Sequence, residues 1–345
     1  MNISTTIKSN PAVFAGIDFH KKFSVVTLGD ASGKLLKQEK LSNDEESIRQ
    51  FFLRHAPLKC AIENCRANEW FIELLKQCGC EVKVSNTFAV RLIADSKCKN
   101  DKIDSKILME LLARDYLPTC YQPTPAERQL REQLRWRTKL MRSRTQYKNV
   151  AHALMDKENK GAKLGSYARR QELYESSRLS ANRQERLEKN LDVIEYFEEH
   201  VNKEDKELRR LAKENPDAIR LKTVPGIGDL SALLLIAEFG DVTRFKNSKR
   251  VGGYLGLVPR LYASSDTKRF GSITKQGPGL VRRILIQDAW VAIKQSTALR
   301  NSYNAILKRR GKKVAIVAIA RKIAAIAYRI LRDKTEYQES KLTLG

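Results

Sequence analysis

Residues 13–41 read VFAGIDFHKKFSVVTLGDASGKLLKQEKL. The apolar run VFAGID ends in a carboxylate at Asp18, and the β-branched run FSVVTLG follows at 23–29. The turn residues DASG at 30–33 then lead into KLLKQEKL at 34–41, a pattern that predicts a hairpin after a first strand. Ser42 or Asn43 is placed to cap a helix running to about His55, with Glu45 and Glu46 in its first turn, where the helix dipole favours acids. LKCAIE at 58–63 reads as a short buried strand that again ends in a carboxylate. A helix over 68–78 ending near Gly79, a strand CEVKVS at 80–85 and an Asp- and Lys-rich helix over about 101–114 complete the block. In a sheet built this way the first strand is central and the fourth is its neighbour.

Beyond it the periodicity changes. Residues 125–155 predict a long basic helix, with Leu130, Leu134, Leu140, Tyr147 and Leu154 at helical spacing. A poorly patterned stretch covers 157–170, and a second long charged helix spans about 180–213, ending at Asn215–Pro216. Two such helices in succession predict an antiparallel coiled-coil stalk. Residues 218–335 read as mostly helical with glycine-rich turns. The expected division is an α/β domain over 1–117, a long-helix linker over 118–217 and a basic helical domain over 218–345.

The chain has 345 residues, of which 65 are Lys or Arg and 40 Asp or Glu, a formal net charge of +25. The charge is uneven. Residues 1–117 hold 18 basic against 15 acidic side chains, whereas residues 221–345 hold 24 against 8. A near-neutral start and a strongly basic second half point to a polyanion partner, with nucleic acid first and a membrane surface second. Hydrophobic residues make up 42%, enough for globular cores. No apolar run approaches the roughly 18 residues of a membrane helix, and MNISTTIKSN lacks the basic and apolar regions of a secretory signal. The six cysteines form no C-x-x-C pair, so reduced thiols serving as small apolar residues are expected.

Asp18 and Glu63 end apolar strands, and Asp101 and Asp104 stand i, i+3 at the start of a helix, facing one way. Carboxylates so placed are costly unless paired or metal-bound, and oxygen ligands of this kind suit Mg²⁺ or Mn²⁺. Two such ions polarise a scissile phosphate and stabilise both attacking and leaving oxygens. Taken singly, an Asp after a strand is more often a turn residue, and D-x-x-D more often a cap; together, in this order, the four predict a metal site. The stretch VPGIG at 224–228, ahead of an apolar helix, reads as the hairpin of a helix-hairpin-helix element, with Gly226 and Gly228 admitting a phosphate to backbone N–H groups, or else as an ordinary packing turn. The block at 255–285 sets Ser264, Ser265, Lys268, Arg269, Lys275, Arg282 and Arg283 around glycines. On residue types alone it reads as a loop that binds phosphate without attacking it.

AGIDFHKK at 15–22, AIEN at 61–64 and KNDKIDSKILMELL at 99–112 resemble the DEDD-type, RuvC-like (RNase H-like) domain of the insertion sequence 110 family of transposases. Asp18, Glu63, Asp101 and Asp104 occupy that family's four acidic positions. LGLVPRLYASSDTKRFGSITKQGPGLVRRIL at 255–285 resembles the same family's C-terminal domain, and KKVAIVAIARKIAAIAYRIL at 312–331 its end helix. The resemblance covers about residues 15–335. It implies a recombinase that cuts and rejoins DNA strands as a homo-oligomer, a dimer or tetramer, guided by a non-coding RNA that pairs with donor and target DNA. It implies that Ser265 is a nucleophile forming a phosphoserine link to DNA, with Ser264 the adjacent fallback. It also places the protein in a prokaryotic cytoplasm at the nucleoid. The competing readings are a junction-resolving nuclease that uses the carboxylates and water, and a non-catalytic nucleic-acid-binding protein.

Overall fold

The computed structural model describes residues 13–57, 59–65, 67–94, 100–159, 170, 172, 174–175, 179–264 and 267–339, with backbone only at 262–264 and 267–268. The chain divides into two compact units, residues 1–122 and 123–345. Among the described residues no helix is long and apolar enough to cross a membrane.

The first unit is a five-stranded sheet in the order β3-β2-β1-β4-β5, formed by β1 (Phe14–Phe19), β2 (Phe23–Gly29), β3 (Leu35–Ser42), β4 (Lys59–Glu63) and β5 (Glu81–Ser85). The first three strands are antiparallel neighbours; β4 runs parallel to β1, and β5 parallel to β4. This mixed order, with β1 central, is that of an RNase H-like fold. Period-2 alternation sorts the side chains of β1 and β4 between two layers. Ala15, Ile17, Cys60 and Ile62 enter a core with Ile48, Phe51 and Phe52 of α1 (Glu45–His55) and Phe71 and Leu75 of α2 (Glu69–Gln77). On the opposite face Phe14 and Ala61 meet Leu108 and Leu112 of α4 (Asp101–Ala113). Helix α3 (Thr87–Ile93), which the sequence pattern did not announce, buries none of its residues. The cap of α1 is Asp44, whose side chain accepts from Ser47 N, rather than Ser42 or Asn43. Cys60, Cys78 and Cys80 are free and buried, as small apolar residues would be; Cys98 lies outside the described residues.

The second unit opens with α5 (Pro125–Asp156), started by a capping box between Thr124 and Glu127. It pairs with α6 (Ala181–Glu214) in antiparallel fashion: Arg137 bonds Asp205, and Lys148 bonds Glu198. Ala151, Leu154 and Met155 pack on Leu187, Leu191 and Ile194 between them. Then follow α7 (Pro216–Lys222), α8 (Asp229–Phe239) and α9 (Ser248–Tyr254), an antiparallel hairpin of β6 (Pro259–Ser264) and β7 (Thr267–Ile273), and the helices α10 (Gly279–Gln295), α11 (Thr297–Arg310) and α12 (Lys312–Asp333). The core of this unit runs through α8, α10 and α12 and takes in Leu134, Leu208 and Ala212 of the long helices. Glu238 on α8 is buried and accepts from Arg135 on α5, a paired charge that fixes one helix on the other. The hairpin was not expected from the glycine-rich pattern of this block.

Candidate active site

Two local features bring α4 down onto the sheet. Gly16 in β1 has no side chain; a Cβ there would overlap the Ser105 carbonyl oxygen and the Met109 backbone nitrogen, so the helix rests directly on the strand. Buried Thr27 on β2 then shares a hydroxyl hydrogen bond with Ser105 at 2.8 Å, and the Gln38 amide on β3 donates to Thr27 Oγ1 at 2.7 Å and to the Lys102 carbonyl at 2.8 Å. The first turn of α4 is capped by Asn100, whose side chain accepts from Lys102 N. The helix start carrying Asp101 and Asp104 is thereby held at the end of β1.

The register of β1 on β4 pairs Ile17 with Ile62, so Asp18 and Glu63 follow at one level. Both belong to the alternation set of Gly16 and Ala61, the face that α4 covers. Asp18, Glu63, Asp101 and Asp104 all line a cleft of about 590 Å³, with His20, Ser85, Thr87 and Arg91 among their neighbours. The four carboxylates singled out from the sequence are therefore brought together.

His20 was not among them. Its Nε2 lies 3.1 Å from Asp18 Oδ2 and 3.3 Å from Asp101 Oδ2, between the two carboxylates. The backbone around it is strapped by Asn43, whose amide donates to the His20 carbonyl at 2.6 Å while its Oδ1 accepts from Ser24. The signal that could have found it is the D-x-H spacing at a strand end, since residues i and i+2 share a face. Asp18 itself is 7% exposed. Burial pushes its carboxyl above the usual range; His20 opposes that shift, while Asp101 and Asp104 add to it. A cation would reverse the penalty.

Asp18, His20 and Asp101 each offer a ligand atom, and these atoms lie within 4.8 Å of one another. Carboxylate oxygens in the majority, backed by Glu63 and Asp104 on the same cleft, fit a hard divalent cation.

In the second unit the expected binding residues fall on different footings. Gly226 has φ +88° and turns the chain so closely over α10 that a Cβ would overlap the Asp288 carbonyl oxygen. Its N–H already donates to Gln295 Oε1 at 2.9 Å. Gly228, at the start of α8, faces open space. Arg282 donates to the carbonyls of Leu255, Gln276 and Gly277, holding the loop before α10. Arg269 and Lys275 are exposed, as is Arg283, whose guanidinium pKa is lowered by burial and by Arg142 and Arg137 on α5. Lys268 is in β7, and Ser265 and Asp266 lie outside the described residues, between the strands ending at Ser264 and starting at Thr267.

Comparison with known proteins settles what kind of protein carries this cleft. Residues 218–304 match the transposase family IS116/IS110/IS902, and residues 15–159 match the DEDD transposases of IS110. The chain belongs to the IS110 family of transposases. It is 27% identical over 330 residues to the transposase for insertion sequence element IS1328 of Yersinia enterocolitica, covering 94% of this chain and 98% of that one. It is 28% identical over 255 residues to the transposase for insertion sequence element IS1111A of Coxiella burnetii, covering 70% and 68%. The RuvC of T. thermophilus in complex with a Holliday junction substrate aligns at 12% identity and a TM-score of 0.22, over 32% of this chain and 99% of its own; the fold assignment rests on the strand order alone. Transposases of this family are enzymes that cut and join DNA, and in this one the DEDD match spans all four cleft carboxylates.

Proposed function

We propose that this transposase cuts and rejoins DNA strands with Asp18, Glu63, Asp101 and Asp104 as ligands of Mg²⁺ or Mn²⁺ and Ser265 as the nucleophile. The observation that carries the metal half is the convergence of those four carboxylates and His20 in one cleft at the ends of β1, β4 and the start of α4. A bound divalent ion would polarise the scissile phosphate and stabilise the charge developing on its oxygens. Asp18 and Asp101 supply the buried and exposed flanks of that site, and His20 holds both carboxylates toward each other.

For the covalent step the Ser265 hydroxyl attacks phosphorus, an Oγ–P bond forms, the P–O bond to the deoxyribose breaks, and the leaving hydroxyl takes the proton. A hydroxyl of the receiving strand then attacks the phosphoserine, forms the new phosphodiester and returns a proton to Ser265. The neighbouring cations Lys268, Arg269 and Lys275 offset the charge that builds on the pentacovalent phosphorus. Motif position in the insertion sequence 110 pattern supports Ser265.

The same reading takes residues 1–117 as the metal-bearing part, 118–217 as a coiled-coil stalk and 218–345 as the serine-bearing, DNA-gripping part, in which Gly228 is the open position of a helix-hairpin-helix turn and Arg283 faces the backbone. It takes a non-coding guide RNA and further copies of the chain as partners, and donor and target DNA in a prokaryotic cytoplasm as substrate. The excess of 24 basic over 8 acidic side chains in residues 221–345 supports polyanion partners.

The test is a strand-exchange assay on element-end DNA with the RNA that co-purifies. Ser265→Ala is expected to bind DNA yet trap no covalent adduct on denaturing gels. An adduct that vanishes only in Ser264→Ala moves the nucleophile by one residue. One that survives the double variant overturns serine chemistry and leaves a water-using nuclease.

A further inference from the structure

A second cavity, of about 730 Å³, lies in the basic unit among α9, α11 and α12. Its charged lining is Lys249, Arg309, Arg321, Lys322 and Arg329, and among the described residues no acidic one lines it. None of these five has an acidic partner among the described residues. Lys249, Arg309, Arg321 and Arg329 are exposed, whereas Lys322 is half-buried and donates to Ser302 Oγ at 3.1 Å, which fixes its ammonium group in the groove. Ala305, Ala318 and Ala325 leave room between the two helices. Five cations drawn from three helices into one concavity repel one another, and only an anion brought in from outside relieves that.

We propose that this groove grips the phosphate backbone of duplex DNA, at a site that borders the serine block at Val258 and does not include the glycine turn. The proposal rests on the reading of DNA as substrate. Among the described residues no aromatic side chain lines the groove, so unstacked bases of a single strand find no platform on them. Arg321 and Arg329 stand two helical turns apart, about 12 Å along α12, which matches about three to four base pairs of one strand at about 3.4 Å each. Contacts of that kind position a duplex without reading its sequence.

The experiment compares the full-length protein with its Arg321→Gln/Arg329→Gln variant, in binding to a mixed-sequence duplex DNA and to single-stranded DNA and RNA of the same sequence, over a salt series. Both arginines are exposed, so the fold is expected to survive, and thermal unfolding checks it. Two lost phosphate contacts are expected to make the log–log salt slope for duplex DNA shallower by about 1.8, with the single strands unaffected. Lys203→Gln/Lys213→Gln, exposed on α6, removes the same charge and is expected to leave the slope unchanged. An unchanged duplex slope in the arginine variant overturns the site. An equal loss on single strands overturns the duplex assignment, and an equal loss in the lysine control overturns its localisation. Failure of the transposase reading would look different: a wild-type protein that binds duplex DNA but never cuts it.

Discussion

His20 and Asp18 show how much of this site depends on single atoms. Replacing Asp18 by Asn keeps the shape but removes the buried negative charge that Asp101 and Asp104 already oppose. Asp18→Asn is therefore expected to abolish strand cleavage while the fold is retained, and full activity in that variant, or in wild type with EDTA, would reject the metal site. Asp288 on α10 poses a separate question. It is 6% exposed, accepts from Ser231 Oγ at 2.8 Å through Oδ1, and has its buried Oδ2 without a partner among the described residues. Burial raises its carboxyl pKa to about 7, against the Ser231 hydrogen bond that lowers it. The folded form therefore holds a proton that the unfolded chain has released, and stability from this group is lost as pH climbs from about 4 to about 7. The loss is at most a few kcal/mol, each pKa unit being about 1.4 kcal/mol. Asp288→Asn is expected to melt higher than wild type at pH 8 and to converge with it near pH 4. A melting difference independent of pH would show that Asp288 is charged throughout.

Among the elements, α4 carries the most consequence, because its seat on Gly16 decides where Asp101 and Asp104 stand. Gly16→Ala is expected to cost about 1–3 kcal/mol by overpacking and to lower cleavage more than binding, since the helix must lift from β1. A thermal melt and a metal titration separate the two effects, and wild-type metal affinity in that variant would sink the idea. The strands β1 to β5 and the helices α1, α2, α4, α5 and α6 were legible in the sequence because alternation, caps and turn residues agree there. Helix α3 was not, since TFAVRLI buries no residue and leaves Phe88 64% and Leu92 72% exposed, so no amphipathic face marked it. The β6–β7 hairpin was hidden by Pro259, Gly271 and its lysine and arginine. The four cleft carboxylates stood out because acids at the ends of apolar strands are anomalous. His20 stood among polar residues just past a strand end and carried no such anomaly.

At the scale of the molecule the two units differ in charge as well as in core. The first unit has its own layered core on both faces of the sheet and only three more basic than acidic residues up to position 117. Residues 1–122 expressed alone are expected to unfold in one cooperative step and to bind Mn²⁺, while holding nucleic acid far more weakly than the whole chain at the same salt. A fragment that bound duplex DNA as tightly as the full protein would show that the basic half is not the grip.

The direct seating of α4 on β1 has a bearing on how the protein is born. Every residue of the cleft from Asp18 to Leu108 is translated before the first basic long helix begins at Pro125. The last helix of the basic unit ends at Asp333, about 230 residues after Asp104, so at about 5–20 residues per second the ribosome needs roughly 10–45 s to make it. During that interval a nascent chain holds a finished carboxylate cleft and little of the cationic surface that would bring it to a chromosome.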